Sequence, residues 1–356
     1  MSEATVKNSN ALISAAALVV IVFGMQAAKV LIVPFLLAVF IALMTVRPML
    51  WLQSHRVPSV LAALFIVLAL MLGLGAVGTV IGSSIAEFTA ALPAYQARLD
   101  KIVQGGLQFV AGYMEDGESI TGLNDLVNPG WAMGLAAGLF KALQDVLTNT
   151  FLILFTMVFI LLEASSIGVK VKAAFGRKGS SLDGPRRFLN DLGRYLGIKT
   201  GVSLVTGLLA GLLTWAVGLD FPLLWGMLAF LLNYIPTVGS IIAAVPAVLM
   251  GLVQLGPAEA TTIAIGFLAI NVVFGNILEP RLMGYGVGIS PLVVFIGLVF
   301  WGWVFGPVGM LLAVPLTMTL KLALESDDST RWIAILIGSE RDAEHALQKR
   351  AARSPG

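Results

Sequence analysis

The chain has 356 residues, 58% of them hydrophobic and 12% charged, with a formal net charge of +2. A soluble domain carries about 25% charged residues, so the composition points to a lipid bilayer, and the small net charge gives nucleic acid no footing. Without cysteine there is no disulfide, thiolate metal site or thiol nucleophile, and His55 and His345 lie far apart in polar flanks, which argues against a triad or a zinc cluster.

Several apolar runs approach the roughly 20 residues that a membrane helix needs. None alternates as barrel strands do. The expected class is therefore all-α, a polytopic helical membrane protein. Ala11 to Ala28 forms the first apolar helix, and the pattern resumes at once after Lys29, so a retained hairpin is expected rather than a signal peptide. Its second helix runs from Val30 to Val46. Ser59 to about Ile85 is the third, with a Gly78/Gly82 pair that permits close helix contact. Residues 1–85 make up this N-terminal part.

Residues 86–145 change character. Charges appear, and Phe88, Leu92, Tyr95, Leu99 and Ile102 repeat at steps of four and three. That seam suits a helix packed on a helix, within one subunit or between subunits. A loop is expected over Gly117 to Pro129 and a helix over Gly130 to Leu143.

Residues 146–325 hold the expected transport core, beginning with a fourth span from Val146 to Leu162. A basic segment, 164–200, then carries Lys170, Lys172, Arg177, Lys178, Arg186, Arg187, Arg194 and Lys199 against Asp183 and Asp191. Short loops rich in Lys and Arg stay in the cytoplasm. Counting from this loop puts both termini inside and segment 86–145 outside. Phe188, Leu192 and Tyr195 give part of the loop an apolar face that suits the inner leaflet.

From Gly201 to Ala258 the only charge is Asp220. A helix with a Gly207/Gly211 pair reaches Leu219. Beyond the Asp220-Phe221-Pro222 turn, the apolar run meets Asn233-Tyr234-Ile235-Pro236-Thr237-Val238-Gly239-Ser240. This reads as a helix break. The piece that follows, Ile241 to Leu255, is short for a span and suits either a tilted helix or half of a re-entrant hairpin. Irregular backbone at membrane depth survives only inside protein or beside a water-filled cavity.

A second break lies at Glu279-Pro280-Arg281, approached by Asn271 and Asn276 and followed by Gly284. The two amides are five residues apart, about 140° round an ideal α-helix, so they need not share a face. Broken helices present solute sites in many transporters. Amides suit a neutral hydroxylated solute, Glu279 suits a proton or sodium ion, and Arg281 suits Glu279 or an anion. A surface ion pair at a cytoplasmic helix end is the plainer alternative. The uncharged run from Leu282 to Leu320 is too long for one span and is expected to bend at Gly306-Pro307-Val308-Gly309, with Pro315 as a kink. Residues 326–356 read as a mobile or surface-bound cytoplasmic tail.

Asn233-Tyr234-Ile235-Pro236, Gly275-Asn276-Ile277-Leu278-Glu279-Pro280-Arg281 and Gly306-Pro307-Val308-Gly309 through Val314-Pro315, in this order, resemble the autoinducer-2 exporter family of bacterial membrane proteins. The resemblance spans about residues 11 to 325. It implies an inner-membrane protein of about eight transmembrane helices with broken or re-entrant segments, assembled as a homo-oligomer, specifically a pentamer. It implies export of autoinducer-2, a small furanone-derived polyol used in quorum sensing. Some relatives are described instead as sodium/proton antiporters. No cofactor is expected, and no enzyme, since there is no P-loop, triad or metal-ligand spacing. An oligomeric membrane scaffold is a third reading. The expected path residues are Asn233, Tyr234, Pro236, Gly239, Asn271, Asn276, Glu279 and Arg281, with Gly284, Gly306, Pro307, Gly309 and Pro315 as gating or kink positions.

Overall fold

The computed structural model describes residues 3–111, 138, 141, 144, 148–175, 183–236, 238–283, 288–327, 329–340, 343, 344 and 347. The expected loop at Gly117 to Pro129, most of the helix after it, and Gly284 lie outside them. Among the described residues all regular structure is helical, apart from one isolated antiparallel bridge between Ile289 and Gly338. Four helical stretches are long and apolar enough to cross a bilayer: Lys29–Ser54, Ser59–Ala91, Phe188–Val217 and Pro257–Met283. Shorter apolar helices accompany them, and large apolar side chains such as Val30, Leu31, Phe151 and Trp215 face outward. An exterior of this kind belongs in lipid. The protein is a polytopic helical membrane protein.

The chain forms two compact units. One comprises Met1–Ala69, Asn149–Leu196 and Tyr285–Gly356, the other Leu70–Thr148 and Gly197–Gly284.

In the first unit, α1 (Glu3–Ala27) and α2 (Lys29–Ser54) are separated by Ala28 alone, and α4 (Thr150–Phe175) packs along α2. A hairpin follows from α10 (Pro291–Phe305) through α11 (Pro307–Leu311) to α12 (Ala313–Glu325). Its bend is the expected one. Gly306 takes φ 71°, and a Cβ on Gly309 would fall on the Trp301 carbonyl oxygen. Trp301 Nε1 donates to Thr317 Oγ1 at 3.2 Å across the hairpin, and Lys321 Nζ donates to the Gly288 carbonyl at 2.7 Å to close its base. The tail is not wholly loose. Helix α13 (Arg331–Ile337) packs on α12 with Ala334 fully buried, and Ser290 N–H donates to the Ile337 carbonyl at 3.1 Å.

In the second unit, the C-terminal parts of two long helices meet a re-entrant hairpin. Helix α3 (Ser59–Ala111) has 53 residues, about 80 Å of axis, far more than the hydrocarbon thickness. It therefore continues the third span directly into the segment expected outside. Phe88 and Tyr95 of the predicted seam are buried, and the Phe88 ring lies 6.2 Å from Phe221 and 6.5 Å from Trp225, so these two seam residues pack within the subunit. Tyr95 O–H donates to Asp220 Oδ2 at 3.0 Å, and burial, with the Asp220 carboxylate beside it, pushes the phenol up to about 12. A folded value above the ordinary one stabilises below about pH 10 and is lost as pH rises toward 12. Tyr95→Phe is accordingly expected to cost about 1 kcal/mol at neutral pH. That difference should shrink to nothing between pH 10 and 12 when both proteins are unfolded in detergent.

Helix α5 (Asp183–Val217) runs unbroken from the basic segment into the span expected from Gly201. Helix α6 (Pro222–Leu232) has 11 residues and advances about 17 Å, too little to cross. The chain turns at Asn233 to Val238 and returns as α7 (Gly239–Gln254). Gln254 Oε1 accepts from Asp220 N–H at 3.0 Å, so the returning arm ends beside the start of the entering arm. Segment 222–254 is thus a helical hairpin whose two ends meet, the geometry of a re-entrant hairpin rather than of a single tilted helix. Gly211 and Gly226 let the backbones of α5 and α6 touch: a Cβ on Gly226 would stand 3.1 Å from Gly211 Cα and 2.7 Å from the Gly207 carbonyl oxygen. This is the use expected of the Gly207/Gly211 pair. From Gly256 the chain continues as α8 (Pro257–Ile270), a π-helix (Asn271–Leu278) and α9 (Glu279–Met283).

Candidate functional site

One turn of α5 carries contacts to both stretches expected to be breaks, although the second is not broken at the expected place: helix runs on through Glu279-Pro280-Arg281 to Met283. Lys199, Ser203, Thr206, Ala210 and Thr214 follow one another at steps of four, three, four and four and are all buried, as one face of a helix requires. Asn233 Nδ2, at the hairpin tip, donates to Ser203 Oγ at 2.9 Å. Tyr234 O–H donates to Thr200 Oγ1 at 2.8 Å. Lys199 Nζ pairs with Glu279 Oε1 at 2.6 Å, with side-chain exposures of 5% and 14%. From Lys199 to Ser203 the helix rises about 6 Å, so the tip and the acid meet α5 within that length. Lys199 lies 18 residues, about 27 Å, before Val217. The pair therefore stands far from the Asp220 end, deeper along α5 than the tip contact.

The polar groups are nearly all satisfied. Thr214 Oγ1 donates to the Ala210 carbonyl at 2.9 Å. Thr206 Oγ1 differs: it is buried, on the same face, and has no hydrogen-bond partner in the structure. A buried hydroxyl without a partner carries a desolvation cost that a bound polar group would relieve.

Glu279 is shielded from bulk solvent, unlike the surface pair of the plainer expectation, but its partner is not Arg281. Residues two apart in a helix point about 200° away from each other, and Arg281 is exposed. Lys199, assigned from sequence to a solvated basic loop, supplies the counter-charge. Pro280 and Asn276 are exposed, Asn271 and Pro236 half-buried, and Gly239 buried.

The approach to Glu279 winds as a π-helix over Asn271–Leu278. Such wide turns, with i→i+5 hydrogen bonds, are rare and concentrate at functional sites. They bring residues five apart closer to alignment than the 140° of an α-helix allows. Asn271 and Asn276 are five apart, so the α-helical expectation does not apply to them. Asn271 Oδ1 lies against Gly275, where an added Cβ would come within 2.7 Å of it. Gly275→Ala should therefore displace the Asn271 amide without lowering stability, since alanine is the better helix former by up to about 1 kcal/mol. If the amide meets solute, flux should fall roughly fivefold, the loss of about one hydrogen bond. Thermal unfolding and solute uptake, measured on the same preparation, check both halves.

Gly306, Pro307, Gly309 and Pro315 belong to the other unit, at the bend and returning arm of the second hairpin. That hairpin is apolar, with Thr317 buried between the Trp301 indole and the Ala313 carbonyl. The two hairpins share a design. Each begins at Pro-Leu, seats a tip glycine on a carbonyl of its entering arm, and carries Val-Pro in the returning arm at Pro246 and Pro315. The hairpin of the second unit has the polar tip, and its Asn233 and Tyr234 side chains bond α5.

The residues that sequence reasoning missed are Lys199, Thr200, Ser203 and Thr206. Ser203, Thr206 and Thr214 at helical spacing in an otherwise apolar span were a signal for them. So was Glu279 itself, since an acid in a membrane span needs a cation nearby.

Among families of known proteins, residues 14–326 match the model described as AI-2E family transporter. The chain is 39% identical over 320 residues to the AI-2 transport protein TqsA of Escherichia coli, covering 90% of this chain and 93% of that one. It is 36% identical over 339 residues to a putative transport protein of Haemophilus influenzae, covering 93% and 97%. With the putative transport protein YhhT of Escherichia coli it shares 35% identity over 333 residues, covering 93% and 94%.

Proposed function

The chain belongs to the AI-2E transporter family, and from that premise we propose that it exports a small neutral hydroxylated solute, autoinducer-2 foremost, across the bacterial inner membrane. The observation that carries this reading is the polar turn of α5. Asn233, Tyr234, Ser203, Thr200 and an ion pair of zero net charge gather where a hairpin tip and the Pro257–Met283 stretch meet α5 inside an apolar chain. Amides and hydroxyls bind polyols by donating and accepting, without asking for charge. The relative named for AI-2 transport supports the choice of cargo. Cations of segment 164–200 support placing it and both termini in the cytoplasm. Assembly as a homo-oligomer, a pentamer, belongs to the same reading.

Deleting the gene should raise the signal inside cells and lower it outside at matched synthesis. An unchanged distribution would sink this reading. A buried carboxylate in a membrane span also supports a second reading, sodium/proton antiport at Glu279. There Glu279 must release Lys199 for each ion it takes. Everted vesicles decide: a proton gradient that sodium does not collapse rules antiport out.

A further inference from the structure

Lys199 is the one described cation buried in an apolar span, and its neighbours explain what it does there. Its ammonium cancels the Glu279 carboxylate at 2.6 Å. The adjoining groups, Thr200, Ser203, Asn233, Tyr234 and Thr206, are all uncharged. The turn is thus polar but electrically neutral. In a shielded site a single uncompensated charge changes the energy of a passing ion by far more than it does in water. Glu279 alone would attract cations and repel anions, and Lys199 alone the reverse.

We propose that Lys199 is a specificity-determining residue: by neutralising Glu279 it keeps the turn of α5 selective for uncharged hydroxylated solutes and closed to ions of either sign. This rests on the reading that solute passes this turn. The buried Thr206 hydroxyl, on the same face and without a partner, is the group left open to such a solute. Arg281 plays no part in the balance, being exposed on the far side of α9 from Glu279.

Purified protein in liposomes tests it with three probes of one size: a five-carbon polyol, the corresponding amino polyol as a cation, and the aldonate as an anion. The wild type is expected to move the polyol and exclude both ions. Glu279→Gln should favour the aldonate over the amino polyol by about tenfold or more, and Lys199→Gln the reverse. Folded single variants that keep the wild-type preference overturn the proposal. A wild type that moves none of the three overturns the transport reading beneath it.

Should a single variant fail to fold, Lys199→Cys/Glu279→Gln strands no charge. The natural chain has no cysteine, so a thiol reagent modifies that position alone. An aminoethyl thiosulfonate adds a positive charge and should turn the preference toward the aldonate. A sulfonatoethyl thiosulfonate adds a negative charge and should turn it toward the amino polyol. Labelled protein with unaltered preference overturns the proposal. If neither reagent reaches position 199, no aqueous route passes it, and the transport reading falls.

Discussion

Lys199→Met or Glu279→Gln alone is expected to cost about 3–5 kcal/mol of folded stability, and the double replacement to recover most of that loss. Each single change leaves a charge in a site from which water is largely excluded, since the two side chains are only 5% and 14% exposed. The remaining ion keeps its desolvation penalty and loses its compensation. Removing both ions removes both penalties, and a well-packed neutral pair is often as stable as the ion pair it replaces. Lys170 and Glu163 provide the contrast. They are also 2.6 Å apart, but 64% and 50% exposed. Their removal should cost between zero and about 1 kcal/mol, because water screens them and their long side chains pay entropy to meet. Equal distances with opposite expectations make burial the deciding variable. A double-mutant cycle by thermal unfolding in detergent measures it. Effects at 199 and 279 that simply add, within about 0.5 kcal/mol, would show that the pair is not coupled.

The apolar runs were legible because membrane helices declare themselves by length and lack of charge. So were the breaks at Asn233 and Gly306, since proline and glycine interrupt helices for local reasons. The pairing of Lys199 was not. Charge counting along the chain treats every lysine between Ala164 and Thr200 alike, and which one is buried depends on a residue 80 positions away. The π winding of Asn271–Leu278 was hidden for a related reason. Its residues are ordinary apolar helix formers with two amides, and nothing local in them asks for the wider turn. The helix start expected at Gly201 was placed by the end of the charged stretch. Leu192, Tyr195 and Leu196 are buried there, so packing carries the helix through. The tail was read from polarity alone. Its Arg331–Ile337 helix is held by Ile289 and Ser290, contacts that local polarity does not reveal.

Gly239→Ala is expected to destabilise the second unit by about 3 kcal/mol or more, although it adds a single methyl group. The Cβ would fall on the Leu232 carbonyl oxygen, 2.7 Å from its carbonyl carbon and 3.1 Å from Ile235 Cβ. Two of these three atoms are backbone of the entering arm, which cannot swing aside as a side-chain end can. The tip must open instead. Opening moves Asn233 and Tyr234, which lie between Leu232 and Gly239, away from Ser203 and Thr200. One buried and one partly buried hydrogen bond then weaken together, and solute flux should fall with stability. Gly73→Ala is the control. A Cβ there meets nothing within 4 Å, and helix propensity favours alanine by up to about 1 kcal/mol. That variant should be at least as stable as the parent. If Gly239→Ala and Gly73→Ala unfold alike in detergent, the tip is not held by backbone contact. The polar turn of α5 would then lack the rigid hairpin that aims its partners.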